Sequence, residues 1–359
     1  MRQAAGSLAI LTYEADGLLV PLSEAARFER FDGRSETWRT CDPHSGLARA
    51  ILASPDRWSS IPVLLGIVEA PTLRADGTVL DKPGYDPASG IYLDTTDTAF
   101  APIPSHPSRS EAVAALDKLL EILAGFPFVD DAARAVAVSA ILSALVRRSL
   151  RAAPMVVLTA PKMGSGKTLL AAICGYIATG RPAAVMTQDT DPVSERKRLL
   201  ALLMSGAAVA VIDNIERPLK SAAMCSILTE PEYQDRVLGA SQQVSVPTNI
   251  FWLATGNNVT VGGDLSTRVL VAGIDPACER PEERSFAVDL HQEVPRRRGE
   301  LAAAALTVIR AYLAVGEPDL GLPPFGRFEQ WQRWCRFPLV WLGLSDPCAT
   351  RRSVETRDP

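Results

Sequence analysis

The chain has 359 residues, of which 47% are hydrophobic, and it carries a formal net charge of −4. This ordinary globular composition provides enough sequence for a large core and about two domains. It excludes a generally basic protein, so any nucleic-acid surface must be a local patch. The six cysteines are scattered without a CxxC pair and the three histidines lie far apart, which argues against a zinc site and a disulfide framework.

The sequence contains no recognisable targeting or membrane-spanning segment. The apolar run at residues 8–11 is short and is soon followed by Glu14, so it does not resemble a signal peptide. The longest apolar helical stretch, residues 132–146, is too short to span a bilayer. We therefore expect a soluble, cytoplasmic protein without a membrane partner.

The first part of the chain is predicted to be rich in β-strands. Asp76-Gly77, between two short runs of strand-forming residues, is typical of a two-residue hairpin turn. Three prolines within residues 101–110 then indicate a linker. Helical periodicity follows over residues 112–123 and from about residue 130 to residue 150, which predicts two helices before the next strand.

A glycine-rich turn lies at residues 161–168, between an apolar strand-like run and a helix-like run. This is the context that a phosphate-binding P-loop needs. Gly164 and Gly166 allow consecutive backbone N–H groups to point at phosphates, and the new helix offers its own N-terminal N–H groups to the same anion. Lys167 can then reach the β- and γ-phosphates of ATP, and the Thr168 hydroxyl can bind Mg²⁺. The predicted nucleotide-binding residues are Lys162, Met163, Gly164, Ser165, Gly166, Lys167, Thr168 and Leu169.

The motif departs from the usual pattern at its first position, which holds Pro161 instead of glycine. A proline is tolerated there if the backbone N–H of that residue faces away from the phosphates. The alternative interpretation is a chance turn that caps an ordinary helix. The strand before the turn and the helix after it favour nucleotide binding.

Strand and helix signals alternate after the P-loop, and the strands are almost continuously apolar. This pattern predicts an α/β protein with a P-loop NTPase fold, in which a parallel sheet is covered by helices on both faces. Ligands of such sheets lie beyond the carboxyl ends of the strands. The predicted domains are a β-rich N-terminal domain at residues 1–107, a helical collar or linker at 108–152, a P-loop ATPase core at 153–275 and a helical C-terminal region at 276–359.

Asp213 ends an apolar strand at residues 207–212 and is expected at the carboxyl edge of the sheet, where it can hold Mg²⁺ through water. The alternative is an aspartate that merely terminates the strand. Hydrolysis also needs a group that orients the attacking water, usually a glutamate directly after this aspartate, but that position holds Asn214. Asn214 can orient water weakly. Glu216, the nearest acid, can serve instead, or can complement the dipole of the following helix.

Two further polar residues complete the predicted site. Asn257 follows a strand expected between those of the P-loop and Asp213, where its amide can contact the γ-phosphate or the attacking water, with Asn258 as the second choice. The alternative is an ordinary Asn-Asn turn. Arg268 precedes the last strand and can act as an arginine finger on the nucleotide of a neighbouring subunit. Its alternative role is a surface salt bridge with Asp264.

The order and spacing of these motifs resemble an AAA+ ATPase, and more closely the superfamily 3 helicase module of phage and plasmid primase-helicases. The segments Gly84-Tyr85-Asp86-Pro87 and Asp346-Pro347-Cys348 also resemble regions that flank the motor in such proteins. The similarity covers most of residues 60–350. No acidic cluster of the primase type is present in the sequence, so the chain is similar to the helicase portion.

This resemblance implies a ring, often a hexamer, in which Arg268 completes the site of the next subunit. It also implies single-stranded DNA as a partner, together with a primase or another replication protein, and a hairpin near residues 236–246 that reaches into the central channel. The expected hairpin tip lacks Lys and Arg, so the charges of Arg196, Lys197, Arg198 or Lys220 can supply the contact with the DNA backbone. A solvated helix face is the alternative role for these charges.

The resulting hypothesis is an ATP-hydrolysing, DNA helicase-like motor of a phage or plasmid replication protein. An ATPase that loads or remodels a protein partner without unwinding, and a nucleotide-binding module with little turnover, are the alternatives. The aromatic residues at 325–341 can stack on bases, but their helical spacing favours a hydrophobic core. The predicted catalytic residues are Lys167, Asp213, Asn214, Glu216, Asn257 and Arg268.

Overall fold

The computed structural model describes residues 14–54, 61–236, 243–283 and 288–351. Contacts divide the chain into two compact units, with the boundary between Val63 and Leu64. The domain boundaries predicted near residues 107, 152 and 275 fall inside the second unit and stay predictions. No helix in the described part of the chain has the length and apolar character needed to cross a membrane.

The first unit contains two helices and a hairpin. Its described elements are α1 (Ala15–Ala25), β1 (Glu29–Asp32), β2 (Thr37–Thr40) and α2 (Ser45–Leu52). β1 and β2 pair antiparallel, and the rings of Phe31 and Trp38 meet edge to face across the hairpin. α1 packs against α2.

The second unit opens with short strands, as expected from the sequence. Asp76-Gly77 forms the turn between two antiparallel strands, and Gly77 has a φ of 84°, which glycine adopts without strain. The hairpin prediction is therefore confirmed, but the turn is longer than the expected two residues, because Arg74 bonds to Thr78 and three residues lie between them. The strands are β3 (Gly66–Val68), β4 (Thr72–Leu73), β5 (Val79–Leu80), β6 (Gly84–Asp86) and β7 (Ile91–Leu93).

Two helices lead from these strands to the P-loop. α3 (Arg109–Leu123) begins with a capping box in which Ser108 and Glu111 satisfy each other's backbone N–H groups. α4 (Asp131–Val146) is capped by Asp130 and is buried on nearly all sides, which its apolar sequence allows. A 3₁₀ turn (Arg147–Ser149) ends it.

A five-stranded parallel sheet forms the centre of the second unit. Its strand order is β14-β8-β13-β10-β9. The strands are β8 (Met155–Ala160), β9 (Ala184–Thr187), β10 (Val209–Ile215), β13 (Phe251–Asn257) and β14 (Val269–Gly273). β13 lies between the P-loop strand β8 and the Asp213 strand β10, as the sequence predicted.

Helices cover both faces of this sheet. α5 (Lys167–Thr179) packs on one face, against residues such as Val211 and Leu253. α6 (Pro192–Ser205) and α7 (Ala222–Thr229) pack on the other face, against residues such as Ile212 and Trp252. The prediction of a parallel sheet covered on both faces is therefore confirmed, and the arrangement is that of a P-loop NTPase-like fold.

A hairpin is inserted between α7 and β13. Its strands β11 (Glu232–Arg236) and β12 (Gln243–Pro247) pair antiparallel, and α6 packs against both of them. The two described strands fit the hairpin that the resemblance implied. The expected tip, residues 240–242, and residues 237–239 of the expected first arm lie outside the described residues.

The C-terminal part is helical. α8 (Leu290–Arg296) and α9 (Arg298–Ala314) are followed by α10 (Glu329–Trp331), a π-helical segment (Gln332–Arg336) and α11 (Phe337–Trp341). Phe325, Phe328, Trp331 and Trp334 are each at most 2% exposed and join the main hydrophobic core. The core interpretation of the aromatic cluster is confirmed for these four residues. Further 3₁₀ turns are Gly263–Arg268, Pro281–Glu283 and Pro347–Thr350.

Candidate nucleotide-binding site

The P-loop connects the carboxyl end of β8 to the first residue of α5. Gly164 and Gly166 have φ angles of 73° and 99°, in the left-handed region that glycine tolerates. Gly166 is the N-cap of α5, and no side chain caps this helix. The backbone N–H groups of its first turn are therefore available to an anion, together with the positive end of the helix dipole.

Lys167 provides a largely buried cation at this position. Its Nζ donates to Oδ1 of Asn257 at 2.9 Å and to the backbone oxygen of Lys162 at 3.0 Å. Burial lowers the pKa of the Lys167 amine below its usual value, and the nearby charge of Asp213 offsets part of this effect. Because both hydrogen-bond partners are neutral oxygens, phosphates can replace them without breaking an ion pair.

Asp213 lies at the end of β10, as predicted. It receives a short hydrogen bond from the hydroxyl of Thr255, a buried residue on the neighbouring strand β13. This bond fixes the orientation of one carboxylate oxygen and leaves the other available. Thr255 precedes the predicted Asn257 in the sequence but was assigned no role there. Its position two residues before Asn257 on a predicted strand was the available signal, because residues two apart share one face of the sheet.

The remaining P-loop residues hold the loop in shape. Ser165 is buried and donates to the backbone oxygen of Lys162 at 2.7 Å. Nζ of Lys162 donates to the backbone oxygens of Cys278 and Glu279 at 3.3 and 3.2 Å, which ties the loop to the segment after β14. Met163 and Thr168 are exposed, and Leu169 is half-buried.

Phe126, between α3 and α4, is a second residue that the sequence analysis missed. A Cβ atom at Gly166 would lie 3.1 Å from the Phe126 ring, so this aromatic side chain packs directly against the P-loop backbone. Phe128, in the loop after α3, also forms an isolated β-bridge with Ile274, the residue directly after β14. α4 packs on α5, and Phe126, between α3 and α4, packs on the P-loop.

Asn214 and Glu216 lie beside Asp213 at the same edge of the sheet. Nδ2 of Asn214 donates to Oε1 of Glu216 at 3.0 Å, and both residues are exposed. Asn214 has a φ of 55°, a left-handed conformation that asparagine adopts more readily than most residues. The structure therefore brings Lys167, Asp213, Asn257, Asn214 and Glu216 to one edge of the sheet.

Arg268 lies apart from this group. It is 7% exposed, and its Nη1 donates to the backbone oxygen of Asp264 and, at 3.2 Å, to Oγ1 of Thr267. The contact with Asp264 therefore involves the carbonyl group and not the carboxylate of the expected salt bridge. Arg268 lines a cleft of about 500 Å³ together with residues of α7, and none of the lining residues belongs to the P-loop of the same chain.

The donors at this edge of the sheet fit a magnesium–nucleotide complex. Lys167 and the free N–H groups of α5 suit the phosphates, and the Thr168 hydroxyl and the Asp213 carboxylate are oxygen ligands of the kind that Mg²⁺ prefers. The glycines at 164 and 166 leave the backbone open to close approach by the phosphates. We therefore regard this edge as a candidate ATP and Mg²⁺ site.

The proteins found to be similar to this chain are solved structures. No protein-family model and no curated protein matches the chain. The apo C-terminal region of NrS-1 is similar at 14% identity and a TM-score of 0.40, over 81% of this chain and 68% of that one. The JCV helicase is similar at 13% identity and a TM-score of 0.31, over 70% of this chain and 73% of that one.

Proposed function

We propose that this chain is an ATP-dependent, DNA helicase-like motor of a phage or plasmid replication protein, and that it hydrolyses ATP at the subunit interfaces of a ring. The contact between Lys167 and Asn257 carries the ATPase part of the proposal. It joins the P-loop lysine to an amide on the central strand, next to the strand of Asp213. These are three groups that phosphate binding and hydrolysis require.

Each residue has a defined task in this proposal. Lys167 and the N-terminus of α5 bind the β- and γ-phosphates, and Asn257 contacts the γ-phosphate or the attacking water. Mg²⁺, when bound, neutralises developing charge on the phosphates. Thr168 and Asp213 hold the metal, and Thr255 keeps the Asp213 carboxylate in position.

The ring is supported by the location of Arg268. Arg268 lines a cleft that contains no residue of its own P-loop, and in this proposal its buried guanidinium becomes exposed to act on the nucleotide of a neighbouring copy. The cleft also contains Lys220 and Arg327, whose charges suit phosphates. A head-to-tail contact of this kind gives a ring when the rotation between subunits closes, as this proposal requires.

Single-stranded DNA as a partner is supported by the inserted hairpin and the helix beside it. α6 packs on β11 and β12 and exposes Arg196 and Lys197, and Arg236 ends β11. Arg196 and Lys197 are adjacent exposed cations on a protein of net negative charge, and in this proposal they are the local basic patch that contacts the DNA backbone. A primase or another replication protein is the further partner that the motif resemblance suggests.

Hydrolysis of ATP with and without single-stranded DNA tests this function, with Lys167→Ala as the blank. The proposal expects phosphate release that DNA stimulates several-fold and that Lys167→Ala abolishes, followed by displacement of a paired strand. Hydrolysis that is indifferent to DNA would favour an ATPase that remodels a protein partner. Tight ATP binding without hydrolysis would favour a nucleotide-binding module.

A further inference from the structure

The end of β10 contains a β-bulge at Asn214. Up to Ile212 the strand pairs in regular register with β13, Ile212 lying opposite Ala254, but the next pair is Ile215 with Gly256. One residue of β10 is therefore extra between these pairs. Asn214 is the residue with the left-handed backbone, at a φ of 55°. Asparagine tolerates this conformation, and a bulge of this kind redirects the side chains that follow it.

The burial of the neighbouring residues confirms the change of face. In a regular strand, residues three apart point to opposite faces of the sheet. Ile212 and Ile215 are three apart, yet both are 3% exposed and pack in the same hydrophobic layer, on the face covered by α6 and α7. The bulge has therefore inverted the alternation of side chains after Asp213.

Gly256 makes this bulge compatible with the sheet. A Cβ atom at Gly256 would lie only 2.6 Å from the backbone oxygen of Ile215 and 2.7 Å from a methyl group of Val259. Because the backbones approach so closely, a side chain at residue 256 would push Ile215 away from its partner. Asn214 and Gly256 thus act together to set the register after the bulge.

The consequence concerns Glu216. β10 ends at Ile215, whose partner is Gly256, so Glu216 and Asn257 are the residues that directly follow this pair. Paired strands lie about 4.8 Å apart. Asp213, Thr255 and Asn257 point to the face of the sheet that α5 covers, since they alternate with the residues packed against α6 and α7. Without the bulge Glu216 would face away from them, and with it Glu216 shares their face.

We infer that Glu216 is the carboxylate that orients and deprotonates the attacking water, and that Asn214 is a positioning residue that turns the chain and holds this carboxylate. The inference rests on the proposed ATP hydrolysis and names the acid that the position after Asp213 lacks. The 3.0 Å bond from Nδ2 of Asn214 to Oε1 fixes one oxygen of Glu216, and the second oxygen is available to water.

The chemical step then follows the usual balance for hydrolysis. The water oxygen forms a bond to the γ-phosphorus, and the bond from that phosphorus to the bridging oxygen breaks, with its electron pair leaving on ADP. The proton lost by the water passes to the Glu216 carboxylate and from there to solvent. Asn214 takes no part in the transfer of the proton and acts through the orientation of Glu216.

The test compares kcat with ATP affinity in the full chain, with affinity measured by equilibrium binding of ATP. We expect Glu216→Gln to lower kcat by about 100-fold and to leave the ATP dissociation constant within about twofold, as for the loss of a general base. Glu216→Asp should give an intermediate kcat. Asp117→Asn, which neutralises an exposed acid on α3, is the control and should match the wild type.

Two substitutions of Asn214 separate its backbone role from its side-chain role. Asn214→Gly keeps the left-handed backbone and removes the amide, so kcat should fall by about tenfold without loss of ATP binding. Asn214→Val disfavours the left-handed backbone, so its kcat should fall to the level of Glu216→Gln. The two variants should therefore differ in kcat while they bind ATP alike.

A Glu216→Gln variant with the kcat of the wild type would overturn the inference, and so would equal kcat values for Asn214→Gly and the wild type. Failure of the proposed function is visible separately, because it would leave the wild type itself without ATP hydrolysis. A wild type that binds ATP but does not hydrolyse it would overturn both.

Discussion

The amine of Lys167 lies 2.9 Å from the side-chain oxygen of Asn257. This bond crosses from the first turn of α5 to the end of the central strand β13, and it holds the P-loop cation against a neutral acceptor. A neutral acceptor is a weaker partner for an ammonium group than a carboxylate or a phosphate. Asn257 therefore keeps the Lys167 amine oriented, and phosphates can still displace Asn257 as its hydrogen-bond partner.

A negative charge at residue 257 should hinder the replacement of Asn257 by phosphates at the Lys167 amine. In Asn257→Asp the carboxylate would bind the Lys167 amine as an ion pair and repel phosphates, so we expect ATP to bind about tenfold more weakly, or about 1.4 kcal/mol. Gln292→Glu, which adds the same charge at an exposed residue of α8, is the matched control, with an expected change below twofold. Equal losses of affinity in the two variants, measured by equilibrium ATP binding, would contradict this role of Asn257.

Removing the hydroxyl of Thr255 should weaken the binding of Mg²⁺. Thr255→Val keeps the shape of the side chain but releases the Asp213 carboxylate, so the Mg²⁺ concentration for half-maximal hydrolysis should rise by about tenfold. Thr307→Val, at a buried threonine of α9 that bonds to a backbone oxygen, should not change it. The measurement is the rate of ATP hydrolysis as a function of Mg²⁺ concentration. An unchanged half-maximal Mg²⁺ concentration in Thr255→Val would refute the prediction.

Charge reversal on α6 should separate DNA stimulation from basal hydrolysis. The double variant Arg196→Glu and Lys197→Glu should lose most of the stimulation by single-stranded DNA and keep a basal rate within about twofold, because phosphate contacts depend on charge. Arg134→Glu, at an exposed position at the start of α4, is the control. Full stimulation of the double variant would show that DNA does not contact this patch.

The stability of the second unit should depend on pH through Asp86. The Arg74 guanidinium, which binds both oxygens of Asp86, and the Ser89 hydroxyl hold the pKa of this carboxyl below its usual value. A carboxyl with a lowered pKa stabilises the fold above its unfolded pKa of about 4, and this contribution is lost as the pH falls through the folded value. Asp86→Asn should therefore cost about 2 kcal/mol at neutral pH and progressively less below about pH 4. Urea unfolding at pH 7 and pH 3 measures both values, and a cost that does not depend on pH would contradict the prediction.

Trp331 should matter for stability and not for DNA. It is fully buried, and its indole N–H donates to Oγ of Ser143 at 2.8 Å. We expect Trp331→Leu to lower the free energy of unfolding by about 2–4 kcal/mol, with DNA affinity unchanged after correction for the folded fraction. Trp38→Leu, at a tryptophan that is 66% exposed, should cost less than about 0.5 kcal/mol. A Trp331→Leu protein of normal stability that binds DNA more weakly would support base stacking instead.

Sequence patterns were sufficient to predict those elements whose conformation depends on residues adjacent in the chain. The P-loop, the apolar strands and the hairpin at Asp76-Gly77 each depend on residues that are adjacent in the chain, and the structure has them where they were expected. The position of β13 between β8 and β10 followed from the polar residues at the strand ends, since Asp213 and Asn257 have a shared use only if their strands are close.

Two features could not be predicted because they depend on packing between distant residues. The bulge at Asn214 requires Gly256 on another strand, and a sequence that reads Asp-Asn-Ile-Glu fits a straight strand equally well. Arg268 looked like a surface residue, but the packing of α7 against the turn that contains it buries the guanidinium.

Release of phosphate from ATP with Mg²⁺ and single-stranded DNA, compared between the wild type and Lys167→Ala, tests the central claim most directly. The claim predicts multiple turnovers by the wild type and a rate for Lys167→Ala that is lower by at least about 100-fold, with both proteins folded to the same extent by circular dichroism. Equal rates for the two proteins, or no turnover by a folded wild type that oligomerises, would contradict it.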